Sequence, residues 1–351
     1  MIKLGKSLLL IAGVIFFASC STDFDVNADW QDQTVVYALL DQDDTAHYVR
    51  INRAFLGSED AYVMASYDDS VQYEGTLTAS LEEWKNGSKV AVFPLTKVVN
   101  EIPKDEGIFG NGTNVLYKST ANLDVTSEYR LSIAFPESGK EVTSSTNLIT
   151  GLGLGNFGSP QFPMILSDVT EVEIYSAKNA IIYDVTVRFH YYETTDGTNY
   201  VEDSIDWTIP SKYASSPDGG EKIVLLFNSR SFRNLLANQL ENNPDIRRAA
   251  RSTRYDFING SNSGAIDLHF SMGGEELYTY IQVNQPYDGI VQERPAYTNI
   301  NGGIGVFSCR NTKKVYGKEL APSSLDSLSR SEITKELNFM DQNGKYWWET
   351  D

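Results

Sequence analysis

Few residues of the types that do covalent chemistry occur in this chain, and their spacing suits none of it well. The histidines are His47, His190 and His269, too scattered for a metal-ligand pattern. His190 and His269 fall on the polar side of strand-like runs, where a solvated or hydrogen-bonded imidazole is the ordinary role. "GSNSG" imitates a nucleophile elbow but puts Asn262 where the serine should be. "DQDDTAHY" begins like a calcium loop, yet Ala46 and Asn52 replace the required glycine and glutamate. It reads as a hairpin turn. Gly153, Gly155 and Gly158 match a dinucleotide fingerprint, but Ser159-Pro160 and Pro163 follow in place of a helix start. That segment reads as a Gly/Pro linker, and no cofactor or metal is expected.

Carboxylates are plentiful, at 47 Asp and Glu. A glycosidase needs two of them roughly 5–9 Å apart. "EDSIDW" offers the best pair, Glu202 and Asp206, at even spacing on one strand face. A solvent-facing acidic edge gives the same pattern. Binding chemistry is better represented, because flat rings dock the apolar faces of sugars and peptides. "KYWWETD" carries Tyr346, Trp347 and Trp348; these rings either close over a core or meet a ligand or partner. The long loop "NQPYDGIVQERPAYTNINGG" adds Tyr287 and Tyr297. Trp347, Trp348, Tyr287 and Tyr297 are therefore the candidate contacts, with no catalytic residue among them.

The first twenty residues, "MIKLGKSLLLIAGVIFFASC", set the location. Lys3 and Lys6 precede an apolar run, Ser7 to Phe17, shorter than the ~20 residues of a membrane span. Ala18 and Ser19 make a small-residue exit, as in a secretory signal peptide. Cys20, directly after it, resembles the lipobox cysteine of bacterial lipoproteins, although Phe17 departs from the usual aliphatic residue. The resemblance implies cleavage after residue 19 and lipid on Cys20. Two or three acyl chains anchor firmly where one does not. Cys309, the second of two cysteines, is then left as a buried small hydrophobe. Residues 20–33 read as a flexible acidic tether. Losing Lys3 and Lys6 takes the net charge from -18 to -20. A surface this acidic disfavours nucleic acid and anionic headgroups as partners.

The elements that must hold these residues are mostly strands. Tyr 20, Phe 16 and Trp 5, with many Val, Ile and Thr, favour β structure. Between residues 34 and 150 about seven short alternating runs predict an immunoglobulin/fibronectin-like β-sandwich. Asn86-Gly87 marks a hairpin. "LDVTSEYRLSI" looks like a tyrosine corner, with Tyr129 bonding backbone just upstream. "GSEDAYVMASYDDS" does not alternate and reads as a loop or helical insertion. After a linker at 151–163, residues 164–351 predict an antiparallel, β-rich α+β domain with one or two helices. One helix is placed near 231–241, N-capped by Ser231, and another near 324–337. "STRYDFI" and "LYTYIQVN" read as strands.

"VVYALLDQDDTAHYVRINRAFLG", "EEWKNG", "YRLSI" with "GKEVTSSTNL", and "NGGIGVFSCR", in that order, resemble an uncharacterised outer-membrane lipoprotein family of the phylum Bacteroidota, catalogued as a domain of unknown function. The resemblance spans roughly Val35 to Arg310. It implies an outer-membrane lipoprotein with an immunoglobulin-like N-terminal part and TonB-dependent transporters as company; it implies no catalytic residues. Three functions follow in order of preference: a non-enzymatic accessory lipoprotein beside such a transporter, a surface module binding glycan or peptide, and a hydrolase. Asp23 and Asp25 lean toward display on the cell surface. Replacing Cys20 with Ala is expected to abolish incorporation of an alkynyl fatty acid in vivo; a variant that still takes up label would refute lipidation there.

Overall fold

The computed structural model describes residues 33–54, 71–73, 75–104, 113–158, 169–253, 263–285 and 296–349. Cys20, Tyr287, Asn262, residues 55–70 and most of "STRYDFI" lie outside them.

Among the described residues seven strands build the first unit: β1 (Thr34–Leu40), β2 (His47–Arg53), β3 (Thr78–Lys85), β4 (Ser88–Val99), β5 (Val115–Ser119), β6 (Glu128–Phe135) and β7 (Lys140–Asn147). Alternation decides their faces. In β6, Tyr129, Leu131, Ile133 and Phe135 are buried while the residues between them are not. β4 serves two layers. Its first half pairs with β3 and its second half with β5. The layers are thus β1-β2-β5 and β3-β6-β7, joined by β4. Asn86 and Gly87, both with positive φ (51° and 76°), make the turn from β3 to β4, the geometry that matches strand twist. Tyr129 is fully buried, and its hydroxyl accepts from the Asp124 N–H at 2.6 Å. The tyrosine corner is therefore present.

The second unit has β8 (Val169–Tyr175), β9 (Ile182–Thr194), β10 (Val201–Tyr213), β11 (Lys222–Asn228), β12 (Arg247–Ala250), β13 (Ile266–Gly273) and β14 (Gly303–Lys318). The helices are α1 (Ser229–Gln239), α2 (Glu275–Asn284) and α3 (Pro322–Arg330). The described residues thus hold three α-helices where one or two were expected. None is long and apolar enough to cross a membrane. α1 starts two residues before its predicted boundary because Asn228, not Ser231, caps it; the Asn228 side chain accepts from the Ser231 N–H. α3 ends at Arg330, and only a 3-10 turn, Lys335–Leu337, continues toward residue 337. "LYTYIQVN" is helical, not a strand. Gly273-Gly274 stops β13, and Glu275 and Glu276 sit in the first turn of α2, where acidic groups favour the helix dipole.

β14 joins the two units. Gly303–Cys309 pairs in parallel with all of β1. Arg310–Lys318 then pairs antiparallel with β13. One hydrogen-bonded path of strands therefore crosses from the first unit into the second. Five consecutive residues, Gly305 to Cys309, are buried, the pattern of a strand covered on both faces. Cys309 is free, and burial pushes its thiol up to about 12. It fills space.

Of the linker expected at 151–163, the described part, residues 151–158, docks on β8, and residues 159–163 lie outside the described residues. Gly153 exchanges backbone hydrogen bonds of 3.0 and 2.8 Å with Tyr175. A Cβ on Gly155 would lie 2.1 Å from the Glu173 carbonyl oxygen. These glycines serve close backbone approach. A second buried tyrosine repeats the corner: the Tyr183 hydroxyl accepts from the Ala177 N–H at 2.8 Å.

Two predictions follow from this packing. Gly305 has φ +115°, and a Cβ there would sit 2.0 Å from the Val36 carbonyl oxygen. Gly305→Ala should cost about 3 kcal/mol or more. Gly87→Ala, with open space around it, should cost only about 1 kcal/mol; equal denaturation midpoints for the two variants would contradict the tight β1–β14 contact. Burial raises Tyr129 and Tyr183 to about 12, above the ordinary phenol near 10. The folded state then holds their protons longer than the unfolded one, so this contribution is full below pH ~10 and is lost as pH rises toward ~12. Denaturant titrations across that range should show stability falling, less so in Tyr129→Phe measured against its own neutral-pH value.

Candidate functional site

A groove of about 590 Å³ lies where the first unit meets α2. Its floor is the outer face of β3, β6 and β7. Strand register sets three rows across that face: Ser80–Ser132–Thr143, Glu82–Arg130–Ser145 and Trp84–Glu128–Asn147. The alternation that buries Leu81, Leu131 and Val142 sends these polar residues outward. The far wall comes from the second unit, through Glu276 of α2 and through Asn299 and Asn301.

The far wall is fixed. The Asn299 side chain exchanges two hydrogen bonds, 2.6 and 3.0 Å, with the Phe307 backbone. The Ser144 hydroxyl donates to the Asn299 carbonyl at 2.7 Å. Asn301 and Thr143 exchange backbone hydrogen bonds. Ser308 of β14 donates to Glu276 at 2.8 Å. At the other end the Arg130 guanidinium stacks on Trp84, 3.9 Å from the ring centre. Two hydrogen bonds to Glu128, 2.8 and 3.1 Å, hold it there. Glu82 accepts from the Trp84 indole N–H at 2.9 Å and from Lys89 at 2.7 Å. The bond from Lys89 keeps the Glu82 carboxyl below its ordinary range.

The acid pair picked out by sequence lies elsewhere, on the outer face of the β10-β9-β13 sheet, and both members are engaged. Arg188 grips Asp206 with hydrogen bonds of 2.7 and 2.8 Å, and this pairing holds the carboxyl below the usual range. Glu202 accepts from Arg251 at 2.8 Å, with His190 Nδ1 3.2 Å away. The other imidazole nitrogen of His190 lies 2.8 Å from Asp267. Both ring nitrogens of His190 therefore face carboxylates. His269 belongs to the same polar face, and burial lowers its pKa. His47 is buried and bonds the Ala121 carbonyl. Among the described residues no group of three or more His, Cys, Asp or Glu could hold a metal ion. Asp41 and Asp43, from the loop that imitates a calcium site, instead accept from Asn311 at 3.2 and 2.9 Å.

The candidate aromatic contacts separate into two neighbourhoods. Tyr346 is buried and stacks on Trp348 with ring centres 4.9 Å apart. Trp347 meets Trp348 edge-on, and each indole is 42% exposed. The cluster thus covers part of the second unit and also presents ring surface. Tyr297 is half-buried beside Glu275 and Glu276, and burial raises its pKa. It borders the far wall of the groove. Trp84, Arg130 and the hydroxyl rows are functional candidates that reading the sequence missed. The legible signal was a tryptophan at an outward position of a strand otherwise polar on that face. Comparison with models of known protein families gives no match, and no curated protein is similar to the chain.

Proposed function

We propose that this protein is a non-enzymatic lipoprotein, held in the outer membrane through Cys20, that serves as an accessory or binding subunit beside a TonB-dependent transporter. The signal-like N-terminus and lipobox-like Cys20 support the anchor, and the acidic balance suits a tethered surface protein. The observation that carries the non-enzymatic reading is the state of the best acid pair. A glycosidase acid must hold a proton near neutral pH, and its pair must face one reacting bond. Asp206 is kept ionised by Arg188, and Glu202 is held by Arg251. The second reading, a glycan- or peptide-binding module, is favoured by the fixed polar groove.

The test is co-purification. The protein is tagged at its carboxyl end in its native host, solubilised gently and recovered with its partners. A large outer-membrane β-barrel at near-equal amount is the expected result. Recovery of the lipidated protein alone would overturn the accessory role and leave the binding module.

A further inference from the structure

We propose that the groove is a binding site for a neutral oligosaccharide, laid across a ridge formed by Trp84 and Glu128. This rests on the binding reading above and narrows its ligand. The ridge has a depression on each side. Beyond it from the groove lies a second hollow of about 360 Å³, which Trp84 and Glu128 line together with the Asn86-Gly87 turn and Asn147. Two adjoining hollows sharing one ridge suit an extended chain better than a single compact molecule.

The lining selects the ligand by what it has already satisfied. The groove lies on a sheet face. β3 is paired on both sides, by β4 and β6, and β6 by β3 and β7. β7 is the outermost strand, and its outer edge is bridged to Asn301 at Thr143, so a peptide strand laid along that edge would have to displace the segment that makes the far wall. Of the two apolar lining residues, Leu131 is fully buried and Trp84 is half-buried under Arg130, so an apolar side chain gains little burial there. The carboxylates are committed to internal donors: Glu82 to Lys89 and Trp84, Glu128 to Arg130, Glu276 to Ser308. Glu82 and Glu128 are neutralised by Lys89 and Arg130, which leaves little for a cationic ligand, and the remaining charge of Glu276 disfavours an anionic one. What the groove does present is an arginine–carboxylate plane, held rigid by its own hydrogen bonds, with the hydroxyls of Ser132, Thr143 and Ser145 and a half-buried indole. Planar polar groups match vicinal hydroxyls, and the exposed edge of an indole whose face carries Arg130 can meet the C–H groups of a pyranose. The sites are already fixed, so little ordering cost falls on binding.

The experiment is titration calorimetry on the purified soluble chain from residue 21 onward. The probes are cellohexaose, laminarihexaose, maltohexaose and mannohexaose, with oligogalacturonate and oligolysine as charged contrasts. At least one neutral hexasaccharide should bind. Trp84→Ala should weaken that binding at least tenfold. Ser145→Tyr, made at an exposed floor position where a larger side chain fills the groove without disturbing the core, should do the same. A double variant, Trp347→Ala with Trp348→Ala, should bind as the parent does. The inference is overturned if none of the four neutral probes binds, if oligolysine binds more tightly than all of them, or if binding survives Ser145→Tyr in a protein whose near-UV spectrum is unchanged. Carrying Ser145→Tyr through the co-purification separates the two claims: loss of sugar with retention of the β-barrel would confirm the groove independently, and an unaffected sugar titration without any β-barrel partner would remove the accessory role alone.

Discussion

One strand carries the backbone hydrogen bonds of both halves of this molecule. The first half of β14 closes the sheet that begins at β1, and its second half closes the sheet that contains β13 and β9. A buried backbone donor or acceptor left unpaired costs about 1–3 kcal/mol, so neither sheet can give up its share of β14 cheaply. The consequence is geometric. The two units are held at a fixed relation by a ladder together with side-chain bonds such as Ser144 to Asn299 and Asn311 to Asp41 and Asp43, and a ladder does not slide without turning every residue to the wrong face. α2 and the segment around Asn299 pack against the same strand, and they supply one wall of the groove whose floor belongs to the other unit. The groove thus depends on β14 for its existence.

Close approach along that strand explains its glycines. A side chain at Gly303 or Gly305 would meet the carbonyl oxygens of Thr34 or Val36, so "NGGIGVFSC" is a packing code rather than a ligand-binding one. The same holds for Gly153 and Gly155 against β8. In both places a glycine-rich run that could suggest a phosphate loop is occupied by protein backbone instead.

Much of the fold was legible because strands with one wet face advertise themselves. The faces of β6 and β9, the Asn86-Gly87 turn and the Tyr129 corner all follow from alternation and local turn chemistry. What misled was local ambiguity or distant pairing. "LYTYIQVN" is rich in β-forming residues and fits a period of two, and only the Gly-Gly stop and the paired glutamates before it favour a helix. The Tyr183 corner repeats the Tyr129 one, but without the turn residues around "LDVTSEYRLSI" nothing local distinguishes it from other strand tyrosines. The double role of β14 had no local signal, since its partner β1 lies more than half the chain away. The groove escaped notice for a related reason. The aromatic residues that sequence singles out lie at a chain end and in a loop, whereas Trp84, Arg130 and Ser145 come from three different strands and meet only through register.

The pairing of the first strand with the last also orders events in time. A chain made from its N-terminus presents β1 long before residues 303–309 exist outside the ribosome. Until they arrive, one edge of β1 is an open row of peptide donors and acceptors, the kind of template on which strands of other chains add. The sequence separation from Thr34 to Gly303 makes this among the most non-local contacts the chain contains, and such contacts form slowly. The seating of β14 is then a late step of folding, and the groove, whose far wall travels with it, is assembled no earlier.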